Sequence, residues 1–75
     1  MANNHKLEWF EKELRYDLVS FTGWTLNKKY RVKNAEQNKD EITRIVGKAV
    51  TEILLDTNWD VYFDNDTVKV TLSKI

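Results

Sequence analysis

Residues 59–72 read Trp-Asp-Val-Tyr-Phe-Asp-Asn-Asp-Thr-Val-Lys-Val-Thr-Leu, and no other stretch limits the fold as tightly. Apolar and polar side chains alternate on both sides of Asn65-Asp66, the period-two pattern of half-buried strands. A two-residue loop there sets Phe63 opposite Val68, Val61 opposite Val70 and Trp59 opposite Leu72, all six on one face. Tyr62 then opposes Lys69, and Asp60 opposes Thr71, on the other face. Slipping the register by one residue would turn one strand inside out. Asn tolerates the left-handed backbone that a primed turn needs, although Asp is a poorer second loop residue than Gly.

A lone hairpin is marginal in water and needs an apolar cover. The strongest helical pattern supplies one: Ile42, Ile45, Val46, Ala49, Val50, Ile53 and Leu54 recur at helical spacing, with Glu41, Arg44, Lys48, Thr51 and Glu52 on the opposite arc. Asn34 with Gln37, and Asn38 with Glu41, both have capping-box spacing, which leaves the start open by a turn. The helix should end near Asp56, and Gly47 weakens it by up to about 1 kcal/mol relative to Ala. An earlier helix is predicted from about residue 4 to about residue 19, with Asn3 or Asn4 as N-cap. Its core stripe is Leu7, Phe10, Leu14, Leu18 and Phe21. Glu8 with Lys12 and Glu11 with Arg15 are favourable i,i+4 pairs, worth about 0.2–0.5 kcal/mol each. Gly23 marks the stop by accepting a positive φ. Between the helices, Tyr30 and Val32 alternate with Lys29, Arg31 and Lys33, so residues 28–33 suggest a third, edge strand, where lysines discourage aggregation.

The expected architecture is therefore one small α+β domain over residues 1–75: a three-stranded antiparallel sheet with both helices on one face, in the order α-β-α-β-β. A winged helix is the alternative. It would need a short helix in residues 24–33, a recognition helix at residues 40–55 and the hairpin as wing. The alternation in residues 24–33 and the mixed charge of the second helix speak against it. Composition excludes other classes. The chain has 75 residues, 41% of them hydrophobic, and no Cys, so it has no disulfide framework, thiolate nucleophile or zinc-finger site. Its longest apolar runs are about three residues, where a membrane span needs about 20 and a secretory h-region 7–15. A cytoplasmic protein without a membrane partner is expected. Nine Lys against three Arg, with seven Asn, is the usage of AT-rich bacterial or phage genomes, an association and not physics.

The 12 bases and 12 acids balance overall but not locally. Residues 24–39 hold five bases and one acid, and residues 40–75 hold four bases and seven acids. Lys28, Lys29, Arg31 and Lys33 beside Trp24 and Tyr30 form a mixture suited to phosphates and base stacking. The plainer reading is cross-strand neutralisation, with Lys29 and Arg31 facing Asp60 and Asp64. Asp56, Asp60, Asp64 and Asp66 could engage a basic partner; the plainer reading is turn and sheet-surface chemistry. They lack the Gly and bidentate Glu of a calcium loop. On the first helix, Trp9 and Tyr16 sit about 180° from the core stripe, flanked by Lys12. Tyr and Trp are enriched at the energetic centres of interfaces. These rings either face a partner or fold against the chain's own Trp24–Leu26 segment. His5 and Glu8 could share a ligand, but His5 is near a helix terminus and lacks further partners; there is no Gly-rich phosphate loop, and neither a cofactor nor a small-molecule substrate is expected. The pattern points to a non-catalytic protein-binding module that occupies a partner or self-associates as a homodimer, of the size of a small phage- or mobile-element-type inhibitor or adaptor. Trp9, Lys12, Tyr16, Asp60, Asp64 and Asp66 are its candidate contacts. The rival reading is a nucleic-acid-binding module that uses residues 28–33.

Overall fold

A computed structural model describes residues 5–74, with the side chains of residues 7–74. The elements are α1 (His5–Ser20), β1 (Thr25–Arg31), α2 (Lys39–Ile53), β2 (Thr57–Asp64) and β3 (Thr67–Lys74), with a 3-10 turn at Ala35–Asn38 leading into α2. They form an α+β domain with one antiparallel sheet in the order β1-β3-β2. The winged-helix alternative is ruled out, because the segment that would need a helix is β1. The proposed N-cap at Asn3 or Asn4 and the His5 side chain lie outside the described residues.

The hairpin forms in the register that its alternation demands, with Phe63–Val68, Val61–Val70 and Trp59–Leu72 as partners. Asn65 carries φ 56°. The second loop residue, Asp66, takes no positive φ, so only the first position needs a residue tolerant of it. β3 is central, and β1 pairs along its other side from Thr25–Ser73 to Arg31–Thr67. The sheet extends past both ends of β1: Val32 N–H donates to the Asp66 carbonyl (2.8 Å), and Lys74 N–H donates to the Trp24 carbonyl (2.9 Å).

Both helices cover one face. Phe10 meets the Tyr30 ring edge-on at 5.2 Å between centroids, which seats α1 over β1. Gly47 seats α2 over β2: a Cβ placed there would stand 3.0 Å from Cζ2 of Trp59. The glycine in mid-helix is thus the hollow in which an indole rests. The core contains Leu7, Phe10, Leu14 and Leu18 from α1, Ile42, Val46, Ala49 and Val50 from α2, and Val68, Val70 and Leu72 from β3. These belong to the stripes read from the sequence, of which Phe21, beyond the end of α1, and Ile45, Ile53 and Leu54 are only partly buried against the core.

Several local expectations fail. β1 starts at Thr25 and stops at Arg31, so the strand is longer and earlier than residues 28–33. Neither capping box forms; the Asn34 and Asn38 side chains cap no helix amide. Asn34 instead takes the left-handed conformation (φ 60°, ψ 37°), and the Asn38 side chain donates to its carbonyl at 2.9 Å. α2 ends at Ile53 and not near Asp56, which takes φ 52° in the following turn. Gly23 does not use a positive φ. The chain leaves α1 through a tight turn in which Phe21 N–H donates to the Leu18 carbonyl.

Candidate functional site

α1 has a 16-residue helical run with apolar side chains on two faces. Four of them build the core; on the opposite side stand Trp9, Tyr16 and Val19, which are 43%, 72% and 70% exposed. Lys12 stands among them, exposed and outside the ion pairs of the described residues. At 100° per residue these four positions fall within about 80° of one another, which makes a single outer stripe. Trp9 leans edge-on against Phe10 (6.2 Å between centroids), so its ring is anchored at one side and open at the other. Trp24, the proposed cover for these rings, is itself 75% exposed, and Leu26 packs against the core. Among the described residues, none therefore covers the outer stripe. Val19 was not among the sequence candidates, although the same helical spacing carries it.

The remaining candidates are divided by the pleat. Asp60 and Asp64 lie on the open face of the sheet, which bears no helix, together with exposed Tyr62. Asp60 Oδ1 accepts the Val61 amide at 2.9 Å. Asp66 is exposed but tied to a neighbouring loop: its Oδ1 accepts the Asn34 amide at 3.1 Å, while Glu36 Oε2 accepts the Asn65 amide at 3.1 Å. Two carboxylates and two left-handed asparagines thus latch the hairpin loop to the β1–α2 connection. The role of Asp66 here is to bridge two loops.

The basic segment does not form one patch. Lys28 turns to the helix-covered face, where Nζ lies 3.7 Å from Asp17 Oδ2. Tyr30 is buried, and its hydroxyl donates to the same Asp17 oxygen at 2.7 Å. Burial first, and the carboxylate second, hold this phenol far above its ordinary pKa. Its ring has no open face for stacking. Lys29 and Arg31 point to the open face, and Lys33 is exposed beyond the strand. The proposed neutralisation by Asp60 and Asp64 does not form either, because β3 lies between: the cross-strand rows are Lys29–Lys69–Tyr62 and Arg31–Thr67–Asp64. β1 and β2 are two strand spacings apart, about 10 Å. The open face thus has a basic edge and an acidic edge, with a shallow depression of about 220 Å³ between them lined by Lys29, Tyr62, Asp64, Thr67 and Lys69.

One end of the molecule gathers the C-termini of α1 and α2 and the start of β1. Trp24 and Leu55 (81% exposed) stand there, and Lys74 Nζ sits 5.0 Å from the Phe21 ring centre. Leu55 was also missed, since the pattern ran α2 past it. Among the described residues no three His, Cys, Asp or Glu side chains gather as a metal site, and no helix is long and apolar enough to cross a membrane. No protein-family model, curated protein or solved structure matches the chain.

Proposed function

We propose that the chain is a non-catalytic protein-binding module whose contact surface is the outer face of α1. One observation carries this reading: Trp9, Tyr16 and Val19 are exposed in a row on the side of the helix that the core does not use. Rings of this kind supply large contact area at little entropic cost and dominate binding energy where they occur in interfaces. The Lys- and Asn-rich composition suits a phage- or mobile-element-type inhibitor or adaptor working in the cytoplasm, which acts by occupying a partner or by self-association. The test is affinity capture from lysate, with and without nuclease, by the wild type and by Trp9→Ala, Tyr16→Ala and Tyr62→Ala. Retention that survives nuclease, is lost with either α1 variant and persists with Tyr62→Ala is expected. Retention indifferent to the α1 variants would overturn the reading.

A nucleic-acid-binding role has one favouring observation, the Lys29–Lys69–Tyr62 row across the open face. Asp60 and Asp64 flank that row on β2 and repel phosphates. Such binding falls by roughly one power of salt concentration per phosphate contacted. Undetectable binding of single-stranded DNA or RNA at about 50 mM salt, where counterion release favours it, would eliminate this role.

A further inference from the structure

We infer that the outer edge of β1 is a docking site for an extended acidic peptide, which joins the sheet as a further strand. This surface is separate from the outer face of α1 and stands on its own observations. A strand offers its backbone to one neighbour on alternate residues and to the other neighbour on the rest. In β1 the even-numbered residues turn toward β3, as the bonds at its two ends show: Lys74 N–H donates to the Trp24 carbonyl, and Val32 N–H donates to the Asp66 carbonyl. The N–H and C=O groups of Thr25, Asn27, Lys29 and Arg31 therefore point out of the sheet. Among the described residues nothing hydrogen-bonds to them. β2 forms the opposite edge, and there the chain supplies its own stopper: Asp60 Oδ1 accepts the outward Val61 amide at 2.9 Å. Among the described residues β1 has no counterpart to it.

Charge decides which strand fits. The side chains of the same four residues are exposed on the open face. A partner that continues the antiparallel sheet sets one residue directly opposite each of them, about 5.5 Å away between Cα atoms. Carboxylates opposite Lys29 and Arg31 are attracted across that gap. A second copy of this edge would instead bring another Lys29, Arg31 and Lys33 to the same seam and be repelled, which is how basic residues guard an edge. On the helix-covered side, Asp17 already holds Lys28 Nζ (3.7 Å) and the Tyr30 hydroxyl (2.7 Å). Acids on the partner's alternate residues would meet that carboxylate. The fitting occupant is therefore acidic at every second position and uncharged between. Main-chain hydrogen bonds give such an added strand its affinity, and a phosphate backbone has no donors for the four outward carbonyls.

The probe is a peptide with blocked ends in which Glu alternates with Thr over 7 residues, the length of β1. Amide hydrogen exchange of the full chain reads the ladder directly. In the free protein the amides of Lys28 and Tyr30 should exchange slowly and those of Asn27, Lys29 and Arg31 fast. Peptide at about 1 mM should slow the latter three at least about threefold and leave Val61 unchanged. Lys29→Glu should weaken binding about tenfold. The double variant Lys29→Glu with Arg31→Glu should prefer a peptide that alternates Lys with Thr. Methylating the Glu amides of the probe keeps its charge and removes its donors, and should abolish binding. No protection at about 1 mM overturns the inference. Binding that survives methylation also overturns it, by showing attraction between charges without a strand. Protection of the three amides by oligothymidylate and not by the peptide assigns the edge to nucleic acid, and protection that grows with protein concentration alone assigns it to a second copy; either result overturns the acidic peptide.

Discussion

α1 and α2 lie side by side over one sheet and are joined by Arg15, whose guanidinium reaches Glu52 at 2.6 Å and Glu11 at 3.3 Å. Inward, the two helices are alike, each with an unbroken stripe of buried aliphatic or aromatic side chains. Outward they differ. α2 shows water a charged and polar arc of Glu41, Arg44, Lys48, Thr51 and Glu52, whereas α1 shows Trp9, Tyr16 and Val19. Folding this chain requires the inner stripes. It does not require aromatic rings on the outside of α1, since α2 does the same structural work without them. What a fold does not need, and yet displays, is the first place to look for what the molecule does.

The largest effects should come from the inner faces, where the helices are equivalent. Leu14→Ala and Ile42→Ala, both fully buried, should each cost about 2–5 kcal/mol in denaturant unfolding. Clearly unequal costs would show that the helices do not share the core evenly. Next comes the seat of α2. Gly47→Leu drives carbon into the Trp59 ring and should cost about 1–3 kcal/mol. In a Trp59→Ala background, Gly47→Ala should instead stabilise by up to about 1 kcal/mol, because only helix propensity remains. If Gly47→Ala gains the same amount in both backgrounds, the indole is not what keeps this position a glycine.

The seat of α1 can be tested by pH. The pKa of the Tyr30 phenol is raised in the folded state, so its stabilisation is fully present below the ordinary phenol value near 10 and is lost as pH rises beyond it. Unfolding monitored through alkaline pH should show this loss in the wild type and not in Tyr30→Phe. The Arg15–Glu52 link should matter less. Hydrogen bonding from Arg15 lowers the Glu52 pKa, so its contribution is present above the ordinary carboxylate range and is lost as pH falls through the lowered value. Glu52→Gln should remove that slight acid dependence, and added salt should mask it. The smallest effect on stability is expected at the outer stripe: Tyr16→Ala should leave unfolding within about 0.5 kcal/mol of wild type. A larger loss would mean that the ring belongs to the fold after all.

The hairpin and both helices were readable because their signals are local. Period two fixes which residues of 59–72 share a face, and the spacing of Ile42, Val46, Ala49 and Val50 fixes which side of α2 is buried. What escaped was set by contacts between distant positions. Alternation placed Tyr30 and Val32 on one face and Lys29 and Arg31 on the other, but it could not say that β3 would part the basic edge from the acidic one. The capping spacings of Asn34 and Asn38 were real, yet Asp66 and Glu36, from loops adjacent only in space, recruited the backbone differently. The outer aromatics of α1 were visible on a helical wheel. Whether the chain covered them depended on where Trp24 went.

The strand order also bears on how the chain can be made. β3 is the last of these three strands to be synthesised and the central one in the sheet, with Thr25 paired to Ser73 and Thr57 to Lys74. During translation, β1 and β2 therefore have nothing to pair with until residues 67–74 have left the ribosome. Until then the apolar stripes of both helices lack their sheet. Folding cannot proceed stepwise from the N-terminus. It must follow emergence of the last strand, in one event limited by the closure of long loops.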